Sequence, residues 1–439
     1  MLRTLLFPIV RFALWVFFRH IDVRGLSDLP RNRRLIFVAN HPNVLLDSLL
    51  LAAFSPGHPL FLGKITLFKN RLFSLFLHLL GVIPVSRQQD RGSRIARNQD
   101  MLRTACQTLK EGKSLALFPE GHSHAGLRVL PLKSGAARIA LRVEDEMDGD
   151  AEVCIIPVGL AYSDPSLFRS EVAIHFGQPI ETAPYLSAYR TNRQSGSHEL
   201  TDLVHQRLAA LTWHVENPDL ETVVRDLSAV YGHEVLREIP DAPESSNQLR
   251  AGQEIIQAVE HFAGSRPDLV ADIGPRLRRH RRKLHRLGLL SGQPSPSSRW
   301  HLLFGLLLAP LFVYGFLNNA LPYFLPRLFV RPNRQSPEMV GTVKLAIGSA
   351  AFPLYYLIRT VVAGLLWGWS NAFIYGCTLP LSGLFALFYS EHFLQRWPLW
   401  QSIVRPGRRR YYLRRIAEER DRLLADIEAV KNRYLSRII

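Results

Sequence analysis

A histidine and an aspartate six residues apart, His41 and Asp47, stand in the stretch Ala39-Asn40-His41-Pro42-Asn43-Val44-Leu45-Leu46-Asp47. A carboxylate bonded to an imidazole fixes its tautomer and raises its basicity, which suits a general base. On a straight helix six steps turn the chain by about 600°, so the two side chains would not share a face. The spacing therefore predicts His41 in a strand-to-helix turn and Asp47 on the second turn of the helix that follows, with Pro42 at the helix start. Taken alone, the pair reads more readily as a structural histidine with a neighbour.

Three further blocks carry chemistry-bearing residues. In Phe118-Pro119-Glu120-Gly121-His122-Ser123-His124, Pro119 stops an apolar run and Gly121 permits a tight turn. Glu120 and Ser123 would then project at the same sheet end as His41, with Lys133 shortly before a helix starting near Ser134. His41, His122 and His124 have no further His, Cys or Asp spacing that would complete a metal site. Ser123 lacks the Gly-x-Ser-x-Gly elbow of a serine nucleophile, since the residues read Gly121-His122-Ser123-His124-Ala125. In Gly81-Val82-Ile83-Pro84-Val85-Ser86-Arg87, Gly81 ends a helix and Arg87 follows a strand, where a guanidinium can hold a phosphate through two parallel bonds. With Arg91, Arg94 and Arg97 behind it, a solvated basic face is the duller reading. Ile155-Ile156-Pro157-Val158-Gly159 reads by itself as core and edge-strand packing.

The elements that must position these blocks alternate. Apolar runs at 35–38, 82–85, 115–118, 153–158 and 172–176 read as strands, and helical patterns separate them at about 43–54, 65–80, 93–111 and 132–144. Nearly continuous apolar strands between helices indicate a sheet buried on both faces, with the blocks at strand ends where such sheets present their sites. Five regions follow: 1–24, an N-terminal helix lying in a membrane interface with Arg3, Arg11 and Arg19 near lipid phosphates; 25–225, the α/β domain; 226–298, a polar, basic helical region and linker; 299–390, transmembrane helices; and 391–439, a basic amphipathic helix. A core helix is the blander reading of the first. In the fourth, Trp300–Leu325 is long enough to span a bilayer, and Ala346–Ile358 and Val361–Ser390 are split by Arg359. Two to four crossings are expected. Basic clusters at 276–286 and 405–415 flank the apolar region, so an even number with both flanks cytoplasmic is favoured. Leu413, Ile416, Leu423, Ile427, Val430 and Tyr434 recur in steps of three, four or seven, which suggests self-association through the last helix.

The chain has 439 residues, with 54 Lys and Arg against 37 Asp and Glu, a net charge of +17. With 47% hydrophobic residues it is not a disordered tail protein, and three cysteines exclude a disulfide scaffold. Cys106, Cys154 and Cys377 are expected to be buried thiols in a reducing compartment. The apolar start is broken by Pro8 and Arg11 and no small-residue cleavage site follows, unlike a cleavable signal peptide. Long apolar runs beside basic runs point to a membrane; nucleic acid is not expected, since the basic segments lack interleaved aromatics.

In this order the four blocks resemble the glycerolipid acyltransferase family, the PlsC-like domain of glycerol-3-phosphate and lysophosphatidate acyltransferases. Phe118-Pro119-Glu120-Gly121-His122-Ser123 matches the family's third motif in full, and Gly81 to Arg87 matches its second with Pro84 where Phe is usual. Lys133-Ser134-Gly135-Ala136-Ala137-Arg138 resembles the segment after the third motif, and Ile155–Pro157 the fourth. The family usually separates its histidine and aspartate by four residues; here there are five. That spacing, with Asn43 two after the histidine and membrane segments beyond the domain, resembles a subgroup that acylates glycerol 3-phosphate or dihydroxyacetone phosphate. The resemblance covers roughly 25–225. It implies an α/β acyltransferase domain with a mostly parallel or mixed sheet, followed by a helical transmembrane C-terminal region. It implies His41 as general base and Asp47 as its support. Arg87, with Gly81, Glu120, Gly121, Ser123 and Lys133, would bind the acceptor, and Ile155, Ile156 and Pro157 would shape an acyl-donor pocket. No cofactor or metal is implied, the acyl-CoA or acyl-carrier-protein thioester being a co-substrate. Implied partners are that donor, a glycerol phosphate acceptor and anionic membrane lipid. The implied location is a membrane, with the catalytic domain on its cytoplasmic side, the inner membrane in a bacterium or an ER-type membrane in a eukaryote. Alternatives are acyl transfer to lysophosphatidate or another lysolipid and, more remotely, a non-catalytic membrane organiser.

Overall fold

The computed structural model describes residues 2–85, 94–238, 244–286, 299–330, 336–394 and 408–435. Arg87, Arg91, the segment 291–298 and Arg405 lie outside the described residues. The chain forms two units, Met1–Pro218 with Val330–Leu345, and Asp219–Phe329 with Ala346–Ile439.

The first unit is built on a mixed sheet of eight strands: β1 His20–Arg24, β2 Arg34–Ala39, β3 Leu60–Lys64, β4 Val82–Val85, β5 Leu115–Leu117, β6 Val153–Tyr162, β7 Glu171–Phe176 and β8 Ile180–Glu181. Their order is β1-β7-β6-β2-β5-β3-β4, with β8 beside β6. Every pairing is parallel except those of β6 with β7 and β8. The central strands are apolar throughout because both faces are covered. Along β2, Leu35, Phe37 and Ala39 enter one core while Ile36 and Val38 enter the other. The first core lies under α1 (Leu2–Phe17), α2 (Leu46–Phe54) and α3 (Arg71–Leu80). The second lies under α4 (Arg94–Lys110), α5 (Gly135–Glu146), α6 (Leu186–Thr191) and α7 (Arg193–Ala209).

Local chemistry sets the helix limits. Asn70 caps α3, its Oδ1 accepting from the Phe73 amide at 3.1 Å, and Gly81 ends it in the left-handed region at φ 92°. Asn192 caps α7 in the same way, over Gln194 and Ser195. The helix expected at 43–54 begins only at Leu46, because the preceding residues are held in a turn by the side chain of Asp47. Pro42 therefore lies before the helix, and Asp47 sits on its first turn rather than its second.

Helix α1 packs one face against the domain. Phe7, Val10, Leu14 and Phe17 are buried in the first core, and Arg11 donates through Nε and Nη2 to Ala53 O at 2.8 and 2.6 Å. Arg11 thus caps the C-terminal end of α2. The opposite face of α1 exposes Ile9, Phe12 and Trp15.

The second unit contains α8 (Glu221–Glu238), α9 (Glu244–Ser265), α10 (Pro267–Arg286), α11 (Arg299–Phe329), the body of α12 (Pro337–Trp367), α13 (Trp369–Tyr389) and α14 (Arg408–Leu435). Among the described residues, three segments are long and apolar enough to cross a membrane: Leu303–Phe329, Pro337–Trp367 and Trp369–Leu394. The break expected at Arg359 falls instead at Gly368, whose φ of 85° only glycine adopts freely. Arg359 stays inside α12 because its guanidinium is satisfied laterally, by Tyr375 Oη at 3.0 Å and Asn318 Oδ1 at 2.7 Å. Cys106 and Cys154 are buried as expected, and burial pushes the Cys106 thiol up to about 11. Cys377 is exposed on an apolar helix, contrary to expectation.

Candidate active site

The site is assembled where β2 and β5 end. Asn40, the residue after β2, locks that end to β6: its Nδ2 donates to Leu160 O at 2.9 Å and its Oδ1 accepts from Leu160 N at 2.7 Å. His41 follows directly. Its ring stacks on Phe118, the residue after β5, with centroids 4.0 Å apart and planes 11° from parallel. The two motifs are also joined through the backbone, His124 N donating to His41 O at 3.0 Å.

His41 Nδ1 lies 2.7 Å from Asp47 Oδ2. The extra residue between them is absorbed in the turn 42–45, where the Asn43 amide donates to the same carboxylate oxygen at 2.7 Å. The other oxygen, Oδ1, accepts from the Tyr162 hydroxyl. Asp47 has no exposed surface, and burial pushes its carboxyl above the usual aspartate range against the pull of His41, Tyr162 and the Asn43 amide. Burial and the neighbouring carboxylate hold the Tyr162 phenol well above its ordinary value, so it remains a donor at neutral pH. With Nδ1–H engaged by a carboxylate, the imidazole carries its lone pair on Nε2. The ring is partly open, its side chain 15% exposed. This pair can take up and return a proton at Nε2.

Glu120 is 2% exposed, and its Oε2 lies 2.9 Å from His124 Nε2, out of line for a hydrogen bond. His124 Nδ1 accepts from Gly126 N at 3.2 Å, so its proton sits on Nε2, toward Glu120. Among the described residues no donor is aligned with either Glu120 oxygen. Gly121 turns the chain at φ 82°, and a methyl group there would come within 2.2 Å of Lys133 Nζ. The missing side chain is what lets the ammonium reach across the turn. Lys133 is tied back by its amide to Pro119 O at 3.0 Å. Ser123 lies in the same turn, partly exposed. His41, Asp47, Glu120, Gly121 and Lys133 are thus brought to the two neighbouring strand ends.

The remaining expected residues fall elsewhere. Gly81 is the end cap of α3. Arg87 lies outside the described residues. Ile155 and Ile156 have no exposed surface and fill opposite cores, and Pro157 pairs with Val38 inside the sheet. These three pack the sheet and offer no surface to a thioester. His122 and His124 have ring centroids 6.4 Å apart, and among the described residues no three His, Cys, Asp or Glu are grouped to hold a metal.

Tyr162 and the Asn43 amide are absent from the expected set. Strand parity places Tyr162 on the face of β6 shared by Cys154, Ile156, Val158 and Leu160, which is the face that α2 covers. That alternation was the available signal. The Asn43 contact is made by backbone and leaves none.

Residues 20–161 match the family described as Acyltransferase. Over 136 residues the chain is 33% identical to glycerol-3-phosphate O-acyltransferase 1 of Saccharomyces cerevisiae, covering 30% of this chain and 18% of that one. Over 187 residues it is 28% identical to the 1-acyl-sn-glycerol-3-phosphate acyltransferase of Streptococcus pneumoniae, covering 41% of this chain and 63% of the other. The solved 1-acyl-sn-glycerophosphate acyltransferase PlsC of Thermotoga maritima aligns with 48% of this chain and 80% of its own, at 20% identity and a TM-score of 0.35. The chain therefore spans less than two thirds of either curated relative. The likeness to the acyltransferase family is thus carried by residues 20–161.

Proposed function

We propose that this chain is a membrane acyltransferase that moves a fatty acyl group from an acyl-CoA or acyl-carrier-protein thioester to a hydroxyl of glycerol 3-phosphate or dihydroxyacetone phosphate. The observation that carries the reading is the buried Asp47 carboxylate, bonded to His41 Nδ1 within an acyltransferase-family domain. His41 Nε2 takes the acceptor proton as the acceptor oxygen attacks the thioester carbonyl. The tetrahedral adduct collapses, the C–S bond breaks, and the imidazolium returns the proton to the departing thiolate. Asp47 stabilises the imidazolium in between. Lys133, and Arg87 by resemblance, serve the acceptor phosphate. Glu120, buried and without an aligned donor among the described residues, is suited to accept from an acceptor hydroxyl. The yeast relative, named for glycerol 3-phosphate, supports this acceptor, and the pneumococcal relative supports lysophosphatidate as a second reading.

The test is an acceptor panel on membranes carrying the wild type or His41→Ala, with labelled acyl thioester. The expected result is product from glycerol 3-phosphate or dihydroxyacetone phosphate that falls at least about a hundredfold in His41→Ala. Product from lysophosphatidate alone selects the second reading. Undiminished transfer by His41→Ala removes the mechanism.

A further inference from the structure

The turn between His41 and Asp47 is not closed by its own neighbourhood. Asn43 is fully buried, and its side chain spans two partners: Nδ2 donates to Pro165 O at 2.9 Å, and Oδ1 accepts from Thr342 Oγ1 at 2.8 Å. The same Thr342 hydroxyl accepts from Leu45 N at 3.0 Å. One hydroxyl therefore uses its proton on Asn43 and a lone pair on an amide of the turn. Leu45 immediately precedes α2, so its amide is one that the helix itself cannot satisfy.

The approach is close because residue 341 is glycine. A methyl group there would lie 2.4 Å from Pro165 O and 2.9 Å from Asn43 Nδ2. Lys344 Nζ donates to Ser166 O at 2.8 Å, and Leu345 is buried in the first core. The segment Val330–Leu345 belongs to the first unit, although sequence reading places it among the membrane helices.

We propose that the start of α12 is a positioning device for the His41–Asp47 pair, with Thr342 as its positioning residue. This rests on the proposed function and deepens it. Asn43 is the connecting part: its backbone amide holds Asp47 Oδ2, and its side chain is held by Thr342. Freeing Oδ1 loosens the amide that orients the carboxylate. A displacement of the imidazole by about an ångström costs on the order of a hundredfold in rate.

The test uses the full chain in membranes and four variants: Thr342→Val, Thr342→Ser, Asn43→Ala and the double Asn43→Ala/Thr342→Val. Valine keeps the shape of threonine and removes both hydrogen bonds; serine keeps the hydroxyl. Expected is a fall in kcat of about ten- to a hundredfold for Thr342→Val, with KM for either substrate within about twofold and kcat restored by Thr342→Ser. Expected too is a loss in the double variant smaller than the product of the two single losses, since the Asn43–Thr342 bond is common to both while the bond from Leu45 N is lost only with Thr342. An unchanged kcat, a loss carried by KM, a serine variant as poor as valine, or losses that multiply in the double variant would each overturn the proposal. A readout independent of any variant is amide exchange of the wild-type segment 41–47. It should be slow, and exchange at the rate of free peptide would equally overturn it. Activity that vanishes in His41→Ala but ignores Thr342→Val sinks the positioning role alone. Activity that survives His41→Ala sinks the reading of the site as well.

Discussion

Asp47 meets three donors in a place with no exposed surface: an imidazole, a phenol and an amide. In such surroundings a carboxylate depends on each donor, and removing one leaves a buried oxygen unsatisfied. Tyr162→Phe removes the only donor recorded on Oδ1 among the described residues and keeps the ring. The expected cost is about 2 kcal/mol of stability, together with a fall in kcat of about tenfold as the carboxylate loosens. Denaturant titration and steady-state kinetics on the purified variant check both. An unchanged midpoint would mean that water reaches Oδ1. At this scale the sequence disclosed His41, Asp47, Glu120 and Gly121, because short-range motifs carry them. It withheld Tyr162 and Thr342, which lie 115 and 295 positions beyond Asp47 and touch the site only through the fold.

Elements were legible where periodicity is strong. The runs at 35–38, 82–85, 153–158 and 172–176 became β2, β4, β6 and β7, and the patterns at 93–111 and 132–144 became α4 and α5. Strands β1, β3 and the two-residue β8 escaped. His20-Ile21-Asp22-Val23-Arg24 is a half-exposed edge strand whose partner, β7, is 150 residues away. Leu60–Lys64 is short and contains Gly63, which admits Val82 Cγ1 where a side chain would stand. Helix α1 is less legible because its apolar residues cover both faces, and only packing decides which is buried. Arg11 is the deciding residue. If its task is to cap α2, Arg11→Met destabilises the protein by about 1 kcal/mol while its binding to anionic vesicles stays within about twofold of wild type, because Met removes a cap rather than a free lipid contact. A variant of unaltered stability that binds such vesicles much more weakly would return Arg11 to the lipid surface.

At the scale of the whole chain, the second unit carries its own constraint on membrane topology. Helices α10 and α14 pair through Arg276 with Asp426 at 2.5 Å and Lys283 with Glu419 at 2.6 Å, an antiparallel register, and Arg420 joins Glu234 of α8 at 2.5 Å. Leu423 is buried in the same contact region of α14, so part of the stripe expected to drive self-association is already used within the chain. Exposed ion pairs are individually weak, yet two in one register, with a third to α8 and a buried leucine beside them, hold α14 against α10. Helices that touch in water lie on one side of a bilayer. The chain between residues 286 and 408 must then cross an even number of times, although its described residues hold three segments long enough to cross. At least one of the three then does not cross. The even count agrees with the basic clusters at both flanks. Single cysteines placed at Ser265 and Glu428, both exposed, in a chain whose three native cysteines are replaced, give the measurement. In sealed vesicles of one orientation an impermeant maleimide should label both or neither. Labelling of one alone would require an odd number of crossings, and the pairing of α10 with α14 could not then exist in the membrane-inserted protein.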